Sequence, residues 1–217
     1  MRVSTDACLF GAWIRLPEAG RVLDIGTGTG LLALMLAQRF PEVHFTAVEV
    51  EPGACADAAL NFDSSPWRSR MELQQQDVRL WESNQGFDAI VCNPPFFIND
   101  LPNPQQKRKL ARHGQEGLNM EALIRAVNRL LTVEGKFYVM LPPSVMEKLS
   151  ELAFGMGFNL HERCRVKHNA EKPVHLVFAV FSRVRQELIS EEEIVLKEGD
   201  SYSRKAKELL EPYYLFL

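Results

Sequence analysis

The sequence lacks the cysteine spacings that build metal sites or disulfide frameworks. Its four cysteines, Cys8, Cys55, Cys92 and Cys164, show no CxxC or CxxH pattern. Scattered in this way they read as buried thiols in a reducing compartment. No run approaches the ~18 apolar residues that a membrane span needs. The opening "MRVSTDACLFGAWIRLPEAG" is broken by Asp6 and Arg15, so it has no basic-then-apolar leader pattern. A linker, an internal repeat and a low-complexity tract are also missing. These absences point to a cytoplasmic protein without a membrane partner or a structural metal. Nor is there an excess of positive charge. The formal net charge is −3, yet "KRKLAR" (107–112) and "RCRVKH" (163–168) are basic while "ELISEEEIVLKEGD" (187–200) is acidic. An average near zero can hide a basic face.

What is present is an alternation of apolar runs and helical patterns. Strands are expected at residues 21–26, 43–50, 70–77, 87–93 and 136–142. Helices are expected at 31–40, from Pro52, from Met120, and after residue 142 on the face of Val145, Leu149, Leu152, Ala153 and Met156. Two further strands, 160–168 and 175–184, follow without a helix between them. An acidic segment and a C-terminal helix ending near Pro212 close the chain. Strand–helix alternation implies a mostly parallel sheet with helices on both faces. The expectation is one α/β domain of Rossmann-like form over residues 1–217. It comprises an N-terminal helical segment (1–20), a core (21–184) and a C-terminal extension (185–217). The sheet is expected to have seven strands and an antiparallel pair at one edge.

"VLDIGTGTGLL" places Gly26, Gly28 and Gly30 between the first strand and its helix, where backbone N–H groups can approach a ligand. Gly28-x-Gly30-x-x-Ala33 with Glu49 downstream also satisfies the dinucleotide fingerprint. Asp24 separates the two readings. A pyrophosphate beside it would meet a like charge, costing about 4 kcal/mol at ~4 Å and an effective dielectric of ~20. S-adenosylmethionine brings an ammonium and a sulfonium, which a carboxylate favours. Glu49 can accept both ribose hydroxyls, and Asp77 an adenine amino group or the loop beside it. The bland alternative for Asp24 is a carboxylate that caps the loop.

"FDAIVCNPPFF" (87–97) drops from a buried strand into Asn93-Pro94-Pro95. Two prolines forbid continuation of the strand, and Pro94 holds Asn93 extended. Taken alone this is a Pro-rich turn. At the end of the fourth strand, across the sheet's switch point from the glycine loop, it reads as part of a site.

"DIGTGTG", "AVE" (47–49), "QQD" (75–77) and "NPPF" fall in an order and spacing that resemble class I S-adenosylmethionine-dependent methyltransferases. "VSTDACLFGAW", "NFDSSPW" (61–67) and "PYYLFL" at the end narrow the resemblance to bacterial tRNA(Val) adenine N6-methyltransferases, over essentially the whole chain. Members of that family carry a further segment ahead of the one matching "MRVSTD". The resemblance implies cofactor contacts from Thr5, Asp24, Gly26, Thr27, Gly28, Gly30, Glu49, Val50, Asp77, Val78 and Asn93. It also implies a catalytic Asn93-Pro94-Pro95-Phe96 stub and a valine tRNA as partner. An exocyclic adenine nitrogen is a poor nucleophile. Hydrogen bonds to the Asn93 side-chain oxygen and the Pro94 carbonyl would free its lone pair while Phe96 stacks on the base. Guanine N2 in ribosomal RNA, adenine in DNA and a release-factor glutamine stay open as acceptors. So do an oxidoreductase and a non-catalytic RNA-binding module.

For the substrate, Arg163, Arg165 and Lys167 share one face of a strand. Lys107, Arg108, Lys109 and Arg112 follow the catalytic stub, and Phe97 adds a stacking surface. Both clusters are expected to touch phosphates, against the alternative of solvated surface charge.

Overall fold

The computed structural model describes residues 4–94 and 118–216. Helix α1 (Thr5–Trp13) is capped by Ser4, whose Oγ accepts from the Ala7 amide at 3.2 Å. Thr5 and Asp6 lie inside the first turn. Then come β1 (Ala19–Ile25), α2 (Leu31–Arg39), β2 (Glu42–Glu49) and α3 (Pro52–Asp63), with Pro52 in the first turn of α3. β3 (Met71–Gln75) and β4 (Phe87–Cys92) follow. α4 (Met120–Leu130), β5 (Leu131–Leu141) and α5 (Pro143–Gly155) lead to β6 (Asn159–Lys167), β7 (Val174–Ser182) and β8 (Ser190–Val195). A small hairpin of β9 (Lys197–Glu198) and β10 (Ser201–Tyr202) turns at Gly199, and α6 (Arg204–Leu210) closes the described chain.

The eight strands β1–β8 lie in the order β3-β2-β1-β4-β5-β7-β6-β8. Only β7 opposes the others, pairing antiparallel with β5 and β6, while β8 pairs parallel with β6. Two expectations are corrected. Among the described residues the sheet has eight strands rather than seven, and the antiparallel pair β6–β7 is not at the edge, because β8 flanks it. β8 comes from the acidic segment, whose Glu191-Glu192-Glu193 looks like solvated coil in sequence. Alternation rescues it. Ile194 is fully buried on the side of α1 and α6, and Glu192 shares that side, while Glu191 and Glu193 face the other.

Two apolar clusters sandwich the sheet. One gathers α1, α2 and α6 against Val22, Phe45, Tyr138, Phe178 and Ile194. The other gathers α4 and α5 against Leu23, Ile90, Phe137 and Phe181. Alternate strand residues divide between the two, which is why β1, β4 and β5 read as near-continuous apolar runs. Helix α1 is wedged in tightly. A Cβ on Gly11 would lie 2.9 Å from Met35 Sδ on α2. The Arg39 guanidinium, its pKa lowered by burial, donates to the carbonyls of Ala12 and Ile14 at the helix end. Those carbonyls have no partner within the helix, and Arg39 satisfies them.

Candidate functional site

The strand order reverses between β1 and β4, where a doubly wound sheet opens a crevice at its carboxyl edge. Register aligns the groups there. Ile25 stands opposite Val48 on one side and Cys92 on the other, and Glu49 opposite Gln75. The next residues, Gly26 and Asn93, therefore leave adjacent strand ends side by side.

Gly26 turns out of β1 at φ +68°, its amide donating to the Val48 carbonyl at 2.9 Å. A Cβ there would meet nothing within 4 Å, so the space beside it is open to a ligand. Gly30, at φ +86°, precedes α2; a Cβ on it would sit 2.4 Å from the Phe62 ring. Only glycine fits both demands. Asn61, next to Phe62 at the end of α3, donates from Nδ2 to the Thr29 carbonyl at 2.8 Å. Asn61 and Phe62 brace the glycine loop. Sequence reasoning gave them no such role, and their signal was the "NF" of "NFDSSPW".

Asp24 is 1% exposed. Its Oδ2 accepts from the Thr27 hydroxyl at 2.6 Å, and its Oδ1 is buried without a hydrogen-bond partner among the described residues. Burial pushes its pKa up to about 7. The Thr27 hydroxyl and the Ala33 amide pull it down, and Glu49 pushes it further up. Burying a carboxylate oxygen without a partner is costly, and a cation brought against it would remove that cost. The loop-capping reading accounts for Oδ2 and leaves Oδ1 unexplained. Burial, then Asp24 and Glu49, also raise the Cys92 thiol well above its ordinary value.

Glu49 Oε2 accepts from the Gly28 amide at 2.9 Å, and Oε1 from the Val50 and Glu51 amides at 2.9 Å each. The three amides fix the carboxylate in orientation at the end of β2. Asp77 lies two residues past β3. Arg79 grips it through Nε and Nη2, at 2.9 and 2.6 Å to Oδ2, and through its amide at 2.9 Å to Oδ1; the guanidinium holds its carboxyl below the usual range. Val50 is 42% exposed at the mouth, whereas Val78 is buried against Trp81. Asn93 is half-buried and Pro94 buried. Thr5 meets the other end of the chain, with the Tyr214 phenol hydrogen-bonded to Thr5 and Cys8. Pro95, Phe96, Phe97, Lys107, Arg108, Lys109 and Arg112 lie outside the described residues.

Arg163, Arg165 and Lys167 do share one face of β6, but each is paired with β8. Glu191 takes Arg163 and, at 2.8 Å, Arg165; Glu193 takes Lys167 at 3.2 Å. The acidic segment was not expected to meet them. Among the described residues, no group of three His, Cys, Asp or Glu could hold a metal ion. No helix among them is long and apolar enough to cross a membrane.

The donor set fits S-adenosylmethionine. There is an unpartnered buried carboxylate oxygen for a cation, an oriented carboxylate at the second strand end, and a glycine turn with open space beside it. Comparison with known proteins agrees. Residues 8–143 match the model of the methyltransferase small domain family. A Vibrio parahaemolyticus protein named tRNA1(Val) (adenine(37)-N6)-methyltransferase is 41% identical, covering 99% of this chain and 89% of its own. One of the same name from Bacteroides thetaiotaomicron is 37% identical, covering 100% and 92%. Among solved structures, one from Agrobacterium tumefaciens described as a predicted O-methyltransferase superposes with a TM-score of 0.74 at 17% identity, covering 94% of both chains. A glycopeptide N-methyltransferase complexed with S-adenosylmethionine gives 0.58 at 15%, covering 83% and 87%.

Proposed function

The chain belongs to the methyltransferase small domain family and, within it, to the tRNA1(Val) (adenine(37)-N6)-methyltransferases, and from that premise we propose how its residues act. It is an S-adenosylmethionine-dependent N-methyltransferase whose acceptor is the exocyclic N6 of the adenine beside the anticodon of a valine tRNA. We read residues 1–217 as one catalytic domain working in the cytoplasm.

The observation that carries the reading is the register that sets Gly26 beside Asn93, with the buried, unpartnered oxygen of Asp24 two residues behind Gly26. Asp24 and Glu49 bind and orient the cofactor, which supplies an activated methyl group on a sulfonium. Asn93 presents a side-chain oxygen and Pro94 a carbonyl; both accept from the two protons of the adenine amine, leaving its lone pair toward the methyl. The methylated amine becomes strongly acidic and loses its proton readily, so Asn93 needs no strong base beside it. Positioning of this kind can contribute ~7–11 kcal/mol to lowering the barrier. Phe96 stacks on the base, and Phe97, Lys107, Arg108, Lys109 and Arg112 contact the RNA. An anticodon-loop purine is already single-stranded, so swinging it into the pocket costs little.

The test is methyl transfer from labelled S-adenosylmethionine to unmodified total tRNA, with the product nucleoside identified by mass spectrometry. N6-methyladenosine confined to one valine tRNA is the expected result. Cofactor binding without a tRNA product would overturn the acceptor and send the search to ribosomal RNA, DNA and release factors.

A further inference from the structure

The outer end of the sheet poses a separate question. β6 runs parallel to β4 and β5, so Lys167 ends at the same edge as Asn93. The register sets Arg163 level with Cys92, three strand spacings or roughly 14 Å away, and Lys167 lies further along at that edge. Arg163, Arg165 and Lys167 stand ~6.6 Å apart along the strand, with side chains 38%, 41% and 25% exposed. By itself this row would be a phosphate-binding strip within reach of any RNA entering the site. The fold does not leave it by itself.

β8 lies alongside in register, Arg163 opposite Glu191 and Arg165 opposite Glu193. Strand alternation splits the acidic triplet. Glu192 faces the other side, where it accepts from Trp13 Nε1 and Lys205 Nζ, while Glu191 and Glu193 take all three cations. The Arg163 guanidinium foremost holds the Glu191 carboxyl below its ordinary range, so the pairing is ionic at neutral pH. Half-exposed pairs of this kind add little to folding stability. Their larger effect is on what the cations can bind.

We propose that Glu191 and Glu193 are specificity-determining residues: they withhold the Arg163–Arg165–Lys167 row from phosphates, so that this face adds no sequence-independent RNA affinity and discrimination stays with the pocket. Sequence-independent affinity grows with every cation free to displace counterions, and an enzyme choosing one tRNA loses selectivity with each. The inference rests on the reading that the acceptor is RNA.

The experiment compares wild type, E191Q/E193Q, and the combined R163Q/R165Q/K167Q/E191Q/E193Q. Each is titrated with a short oligouridylate over a range of salt, with cofactor affinity and melting temperature measured alongside. E191Q/E193Q is expected to bind oligouridylate about tenfold more tightly at low salt. Its log–log salt slope should steepen by ~1.4–2.1, at ~0.7 per freed cation. Both changes should vanish in the combined variant, and cofactor affinity should hold throughout. Unchanged oligouridylate binding by folded E191Q/E193Q would overturn the proposal, as would a gain that survives removal of the three cations. If the double variant melts early, E193Q alone gives the same test for Lys167. Wild type is assayed on total tRNA in parallel; its failure to methylate any RNA would sink the RNA reading itself, whatever the glutamates do.

Discussion

Asp24 and the Glu191–Glu193 pair are carboxylates on the same sheet, and the chain treats them in opposite ways. Asp24 is sealed from water with one oxygen unpartnered and its ionisation opposed by burial. Glu191 and Glu193 stand at the surface, fully engaged with three cations. The first group is in an unfavourable state that a cationic ligand improves; the second is already neutralised and has nothing to gain from one. The same residue chemistry marks a candidate site within the sheet and closes a surface at its edge. The difference lies in what each group is left without.

Four measurements can break or sharpen that contrast. Asn93→Ala should cost the largest amount, on the order of 10²–10³ in single-turnover methyl transfer, with cofactor affinity within a few-fold of wild type. Retained turnover would remove Asn93 from the chemistry. Gly30→Ala forces an L-residue to φ +86° and a methyl into the Phe62 ring. It should lower stability by about 3 kcal/mol and the melting temperature by roughly 6–12 °C.

Asp24→Asn keeps the shape and removes the charge. Calorimetry should find cofactor affinity reduced about 10–100-fold at pH 8, from the loss of a charge-assisted contact. The pH dependence gives the sign. Because the folded pKa is raised, Asp24's favourable contribution to stability is present below the ordinary carboxylate range and is lost as pH rises through about 7. A cationic cofactor prefers the ionised form, so wild-type affinity should climb with pH through about 7 while Asp24→Asn stays flat. The groups facing Asp24 are Thr27, Ala33, Glu49 and Cys92; a slope surviving in Asp24→Asn would overturn the assignment of the titration to Asp24. Smallest of all, E191Q/E193Q should shift the melting temperature by no more than about 2 °C. A larger loss would make the ladder structural.

The parallel core was legible in the sequence because β1, β2, β4 and β5 are buried on both faces and so read as apolar runs bounded by Gly, Pro and Asp. Asp24, Gly26, Glu49 and Asn93 were legible for a related reason. Each stands one step from the end of such a run, so placing the strand places the residue. β8 was not. Its only fully buried side chain is Ile194, and the strand it pairs with, whose cations its glutamates meet, lies more than twenty residues earlier, where no local window reaches. Arg79's grip on Asp77 was missed for the opposite reason, because Asp77-Val78-Arg79 is so short a stretch that nothing in it signals a closed turn. The roles of Asn61 and Phe62 needed the tertiary approach of α3 to the glycine loop.

Helix α1 is buried at every position from Ala7 to Trp13. Phe10 and Trp13 pack on Phe178 of β7 at ring distances of 5.1 and 5.5 Å, Trp13 donates to Glu192 of β8, and Tyr214 joins Thr5 and Cys8. Helix α1 is thus completed by partners up to roughly 200 residues behind it in the chain. At ~5–20 residues per second, an apolar helix with no polar face spends about 10–40 s of every synthesis without the surface it was shaped for. Synthesis of this chain therefore includes an interval in which helix α1 can be met by chaperones or by other chains before β7 and β8 exist to cover it.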